Sequence, residues 1–167
     1  MARIQTLKRH AILTYFVLAY VLTWAFWIPM IFTHQASIPW YVLWFVGNTM
    51  PSLVGILLTA LFSGKSGLGE LFRRLGQVRA PLIWYAVVLL LVPVLQLVAF
   101  GVPTLLGLTT ISFAWPAVSS VISIFIFAGL GEELGWRGFA LPRMQARQQA
   151  FAASLLLGVL WGFWHIR

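Results

Sequence analysis

The sequence predicts an all-α protein: a polytopic transmembrane helix bundle of about five spanning helices. Of the 167 residues, 61% are hydrophobic and only 8% are charged, and the mean hydropathy is +0.94. Soluble domains carry about 25% charged residues, so this composition excludes a soluble globular domain. The net charge of +8 comes from basic residues in the gaps between apolar stretches, which indicates membrane topology and not nucleic-acid binding. The chain has no cysteine, which excludes disulfides and cysteine metal sites.

The apolar stretches set the predicted spans. The first, at 11–32, is about twice the length of a signal-peptide core, so we expect it to be a retained helix. Four more spans follow at about 40–62, 82–106, 116–141 and 150–166. We expect Pro93 to interrupt the third span and the helix-breaking Pro142 to end the fourth.

The gaps between the spans alternate in charge. The N-terminal segment and residues 63–80 and 142–149 are basic, whereas 33–39 has no formal charge apart from a proton that His34 could carry, and 107–115 has none. The positive-inside rule then predicts an integral protein of a bacterial-type cell membrane with a cytoplasmic N-terminus. Apolar residues within 63–80 predict a short amphipathic helix on the membrane surface.

The fourth span carries two of the three acidic residues, Glu132 and Glu133; the third is Glu70. An ionisable group at membrane depth costs about 2.5 to 3.5 kcal/mol, so such groups are rare without a function. Glu133 and Arg137 are four residues apart, which predicts an ion pair on a helix. Glu132 is turned about 100° away from that pair, and this makes it the candidate general base.

The fifth span carries His165 near its end. If the last two spans are antiparallel neighbours, Glu132 and His165 lie about 15 Å and 20 Å from the turn between them and face each other. Small residues on the same faces predict a close approach of these two helices. They are Ala128 and Gly135 beside Glu132, and Gly158 and Gly162 beside His165.

The pattern Glu132-Glu133-x-x-x-Arg137, followed by Trp161-x-x-x-His165, resembles the first two motifs of the CPBP family of intramembrane proteases. That family includes the type II CAAX prenyl endopeptidases and the bacterial Abi proteins. The resemblance implies that Glu132 activates water, that His165 helps to hold the water and the oxyanion, and that Glu133 and Arg137 support them.

Two departures from the family pattern accompany this resemblance. The family usually has phenylalanine where Trp161 stands, and its members carry a further helix with a second histidine. We therefore expect residues 1–167 to form a single transmembrane domain that is C-terminally incomplete, with the CPBP motifs within 116–167.

The implied function is that of a glutamate-dependent, CAAX protease-like endopeptidase acting near the cytoplasmic side of the membrane. Its partners would be membrane lipid and a peptide or protein substrate, lipid-modified or not, without nucleic acid. No cofactor is predicted; zinc is not favoured, because the acidic pair is not His-Glu-x-x-His and an adjacent arginine opposes a cation.

Three alternatives stay open. The acidic pair could be a structural ion pair that fixes helix packing. The chain could be a non-catalytic membrane immunity or scaffold protein of the same fold. A fragment of a proton-coupled transporter would require more polar groups along several helices than the sequence shows.

Overall fold

The structure is a computed structural model that describes residues 2–33, 37–76, 79–110 and 129–166. Within these ranges the chain forms helices and no strand, so the predicted all-α membrane class is confirmed. The helices are α1 (Ala2–Arg9), α2 (Ala11–Ile31), α3 (Ile38–Leu75), α4 (Leu82–Leu105), α5 (Gly131–Glu133), a π-helix (Leu134–Ala140), α6 (Leu141–Gln145) and α7 (Ala150–Trp164).

Contacts divide the chain into two compact units. The first comprises Met1–Leu75 with Val118–Arg167, and the second comprises Gly76–Ala117. The candidate site lies in the first unit. The single transmembrane domain remains a prediction.

Helix α2 confirms the first predicted span and packs against α3. The buried Thr23 hydroxyl donates a hydrogen bond to the Gly47 carbonyl, at 3.1 Å. A Cβ at Gly47 would collide with the indole of Trp27, so glycine is what allows the two helices to approach at this level.

Helix α3 contains both the second predicted span and the predicted amphipathic helix. It is not straight, because Gly64 has a φ of 61° and a ψ of −154°, a conformation that essentially only glycine adopts. The chain therefore changes direction at Gly64. Beyond it, Glu70 pairs with Arg73 and Arg74 at 2.9 Å and 3.0 Å on the exposed surface.

Helix α4 corresponds to the third predicted span and belongs to the second unit. It continues through Pro93 and Pro103, so the predicted interruption at Pro93 is wrong. Membrane helices tolerate proline because neighbouring groups and small local adjustments satisfy the carbonyl that loses its N–H partner.

The fourth predicted span begins outside the described residues. From Gly131 onwards a short α-helix leads into the π-helix and then into α6. The predicted helix end before Pro142 is wrong, because Pro142 lies in the first turn of α6. The π-helix runs directly into α6, so the chain stays helical through Pro142, whose fixed φ suits a helix.

Helix α7 begins where the fifth span is predicted but ends at Trp164. Its 15 residues rise only about 22 Å, less than the roughly 30 Å of a bilayer core. Two hydrogen bonds tie it to α2: the Tyr20 hydroxyl donates to the Leu160 carbonyl, and Trp24 Nε1 donates to the Trp164 carbonyl at 3.4 Å. In the described ranges, three helices are long and apolar enough to span a membrane (α2, α3 and α4). The count of five remains a prediction.

The N-terminal basic segment makes two hydrogen bonds to other parts of the first unit. The Lys8 ammonium donates to the Phe62 carbonyl at 3.1 Å, just before the bend of α3. The Arg147 guanidinium donates to the Arg9 carbonyl at 3.3 Å. The N-terminal segment therefore contacts the end of the second predicted span, next to the basic residues of α3, and the basic segment 142–149.

Candidate active site

Glu132 lies in α5, immediately before the π-helix, and only 4% of its surface is exposed. The indole Nε1 of Trp161, in α7, donates a hydrogen bond to its Oε2 at 2.7 Å. The buried carboxylate is therefore fixed by the helix that leads to His165.

Helix α3 holds α5 in place from the other side. The buried Ser52 hydroxyl donates to the Leu130 carbonyl at 2.8 Å, just before α5 begins. A Cβ at Gly131 would lie 3.3 Å from the Asn48 carbonyl oxygen, so the two backbones are close there. The position of Glu132 thus depends on contacts with both α3 and α7.

Glu133 and Arg137 form the predicted ion pair. The side chains are partly exposed, 31% for Glu133 and 57% for Arg137, so the pair lies at the edge of the packed region. The Arg137 guanidinium carbon is 5.8 Å from the centre of the Trp161 ring, within the range of a cation–π contact. The ion pair and Glu132 therefore share one neighbouring side chain.

His165 directly follows the last residue of α7 and is exposed. Its Nδ1 is 2.9 Å from the Trp161 carbonyl oxygen. A carbonyl oxygen can only accept, so Nδ1 must carry the hydrogen of this bond. In the neutral ring, Nε2 is then an acceptor, and it becomes a donor only when the ring is protonated.

Gly135 does not make the predicted small-residue contact with the last helix. A Cβ at Gly135 would collide with the Pro51 carbonyl and the Tyr15 hydroxyl, so Gly135 packs closely against α3 and α2. Among the described residues, no heavy atom lies within 4 Å of a Cβ placed at Gly158 or Gly162. Ala128 lies outside the described residues.

A cavity of about 540 Å³ lies beside the Glu133–Arg137 pair. Leucines form much of its wall, and two guanidinium groups and one carboxylate supply its charges. The lining residues are Leu71, Arg74, Leu75, Gly129, Leu130, Glu133, Leu134, Arg137 and Gly138.

Comparison with known proteins gives two matches. Residues 113–167, which include all four predicted site residues, match the family model described as type II CAAX prenyl endopeptidase Rce1-like. A curated relative from Methanococcus maripaludis, named CAAX prenyl protease 2, is 26% identical over 162 residues. These matches support the CPBP family. The alignment covers 90% of this chain and 60% of the relative, so the chain spans about three fifths of that relative's length. No solved structure matches the chain.

The CPBP motifs meet at Trp161, a contact that the sequence analysis missed. The indole N–H bonds to Glu132, the ring faces Arg137, and the backbone carbonyl bonds to His165. One sequence signal was available, because a tryptophan at an inward helix position needs an acceptor for its N–H. The acidic pair was the obvious acceptor nearby.

A π-helix directly after the acidic pair is a second feature that the sequence did not reveal. It covers Leu134–Ala140, which includes Arg137. π-helical turns are rare and frequently occur at functional sites.

Proposed function

We propose that this chain carries part of a glutamate-dependent intramembrane endopeptidase that hydrolyses peptide bonds near the cytoplasmic side of the membrane. The observation that carries the proposal is the buried Glu132 carboxylate, hydrogen-bonded to the helix that leads to His165. The substrate is a peptide or protein, lipid-modified or not, presented by the surrounding lipid.

In this reaction Glu132 takes a proton from water while the water oxygen attacks the scissile carbonyl carbon. The resulting tetrahedral intermediate carries one negative oxygen. Glu132 then returns the proton to the leaving nitrogen as the C–N bond breaks. One carboxylate thus acts as base and then as acid, and proton transfer of this kind contributes about 10²- to 10⁴-fold.

His165 has two roles that depend on its protonation. With Nδ1–H donated to the Trp161 carbonyl, the neutral ring offers Nε2 as an acceptor for a hydrogen of the attacking water. A ring that has taken up a second proton from the solvent at Nε2 donates to the oxyanion instead. The oxyanion role therefore belongs to the charged form of His165.

Glu133 and Arg137 support the site and border the space in which substrate would lie. Their mutual ion pair satisfies both of their charges, and the cavity beside them has leucine walls and a further guanidinium, that of Arg74. Such walls suit an apolar peptide segment or a lipid chain. The proposed mechanism needs no metal, because the Arg137 guanidinium beside the acidic pair would repel a cation.

The contacts of the N-terminal basic segment support a cytoplasmic N-terminus, and we place the protein in a bacterial-type membrane. Lys8, Arg9 and Arg147 lie at one end of the first unit. Positive charge collected at one end is what the positive-inside rule expects of the cytoplasmic side.

The test is Glu132→Gln in the full-length protein containing this chain, reconstituted in lipid vesicles with a membrane-embedded peptide substrate. We expect cleavage to fall at least about 100-fold, while a metal chelator leaves the wild type unchanged. Glu70→Gln is the matched control, since Glu70 lies on the exposed surface helix. Equal cleavage by wild type and Glu132→Gln would overturn the role of Glu132, whereas no cleavage by either would favour a non-catalytic immunity or scaffold protein.

A further inference from the structure

A second cavity, of about 200 Å³, lies where the bent part of α3 faces the π-helix and α6. Its wall contains two guanidinium groups, one carboxylate and two hydroxyl groups. The lining residues that supply them are Thr59, Ser63, Glu70, Arg74 and Arg143. We call this space the arginine cavity. Neither Glu132 nor His165 borders it, so its chemistry is separate from that of the candidate general base.

Arg143 brings a positive charge into this wall that no carboxylate balances. Its half-buried guanidinium donates to the Phe139 carbonyl at 2.9 Å and lies 3.7 Å from the centre of the Phe139 ring, and these contacts hold it in place. It forms no ion pair within the described ranges. Burial, and after it the positive charge of Arg74, lowers the pKa of the Arg143 guanidinium. Two positive groups therefore repel each other across one small space, and an anion between them would remove that repulsion.

The carboxylate of Glu70 does not neutralise the arginine cavity. Its oxygens accept hydrogen bonds from Arg73 at 2.9 Å and 3.0 Å and from Arg74 at 3.0 Å. One carboxylate is thus shared by two guanidinium groups, and Arg143 stands opposite as a third. Positive charge is in excess around the cavity, and the exposed Ser63 hydroxyl offers one more hydrogen-bond donor.

We propose that the arginine cavity binds the phosphate group of an anionic phospholipid between the guanidinium groups of Arg74 and Arg143. Guanidinium groups bind phosphate oxygens through charge-assisted and often paired hydrogen bonds. Basic pockets between membrane helices are suited to the head groups of anionic lipids. This inference does not depend on the proposed proteolytic function.

The neighbouring cavity favours a lipid over a soluble phosphate. The arginine cavity and the leucine-walled cavity of about 540 Å³ share Leu71, Arg74 and Gly138, so the two spaces are adjacent. An acyl chain could lie along the leucine wall while the phosphate is held by the two arginines. Each buried CH₂ group contributes about 0.8 kcal/mol, a gain that inorganic phosphate cannot have.

The experiment measures lipid binding to the full-length protein that contains this chain, in a neutral detergent. Short-chain phosphatidylglycerol is the probe, and native mass spectrometry gives its Kd. We expect Arg74→Gln and Arg143→Gln each to raise that Kd about 10- to 100-fold, because each removes hydrogen bonds to a charged group. The uncharged head group of short-chain phosphatidylcholine should bind at least about 10-fold more weakly than phosphatidylglycerol.

The chain offers a matched control for each substitution. Arg73 pairs with the same carboxylate as Arg74 but does not line the arginine cavity. Arg147 lies in the same basic segment as Arg143 and also lies outside the wall. Arg73→Gln and Arg147→Gln therefore remove the same charge and should change the Kd by no more than about fivefold. Unfolding temperatures without lipid identify any variant that fails to fold, and the exposed Arg74 provides the test if Arg143→Gln does.

Three results would overturn the proposal. Equal weakening by all four substitutions would indicate attraction to diffuse surface charge. Inorganic phosphate that displaces the lipid at equal concentration would make this a site for a soluble anion. Absence of phosphatidylglycerol binding by the wild type would leave the cavity without this ligand. Cleavage is not measured, so none of these results bears on the role of Glu132.

Discussion

At the scale of single residues, the candidate site is held by contacts that the sequence pattern only partly specifies. The Glu133–Arg137 pair follows directly from a spacing of four, and it forms. The hydrogen bond from Trp161 to Glu132 links residues 29 positions apart in different helices. No local rule predicts such a bond, because it depends on how the two helices rotate against each other.

Alanine substitutions at two glycines test which of them lies at a close helix contact. Gly135→Ala should lower the free energy of unfolding by about 1 to 3 kcal/mol, because its methyl group would collide with the Pro51 carbonyl. Gly158→Ala is the matched control, since among the described residues nothing lies near its Cβ. We expect it to be neutral or to stabilise α7 by up to about 1 kcal/mol. Unfolding in bicelles measures both, and equal effects would contradict this assignment of the close contact.

At the scale of helices, the apolar lengths predicted α2, the membrane part of α3 and α4 well. Two proline predictions failed, at Pro93 and Pro142, because the consequence of a proline depends on its place in the helix. Pro142 lies in a first turn, where its ring is favourable. The π-helix was also missed, since no residue between Leu134 and Ala140 marks it in the sequence.

The exposed part of α3 beyond Gly64 contains ion pairs whose strength depends on pH. Hydrogen bonds from Arg73 and then Arg74 lower the pKa of Glu70 from 4.5 to about 2. Because the folded-state pKa is depressed, the stabilisation is full above about pH 4.5 and is lost as the pH falls toward about 2.

Amide hydrogen exchange over 65–75, corrected for intrinsic rates, measures this effect. We expect protection in the wild type to fall between about pH 5 and pH 2, whereas Glu70→Gln should be low and flat over that range. The change should be modest because the pair is exposed. A pH response that persists in Glu70→Gln would assign it to another group.

At the scale of the whole molecule, charge distribution predicts orientation, and this can be measured because the chain has no cysteine of its own. Single cysteines at Ser66 and Gln148 should react with a membrane-impermeant maleimide only from the cytoplasmic side. Ser37→Cys, in the uncharged gap, should react from the opposite side. The reverse pattern would invert the topology and place the basic segments outside.

The π-helix at Leu134–Ala140 also determines in which direction around the helix axis the later side chains point. In an uninterrupted α-helix, Met144 would lie about 120° around the axis from Glu132, twelve residues earlier. One extra residue in a wider turn removes about 100° of that rotation, which brings these two buried side chains to nearly the same side. A helical wheel drawn with a single period therefore misassigns every face beyond Leu134. Because of this offset, the length of the segment matters as well as its composition. Only a segment of this length keeps both the acidic group and the downstream core contacts facing inward.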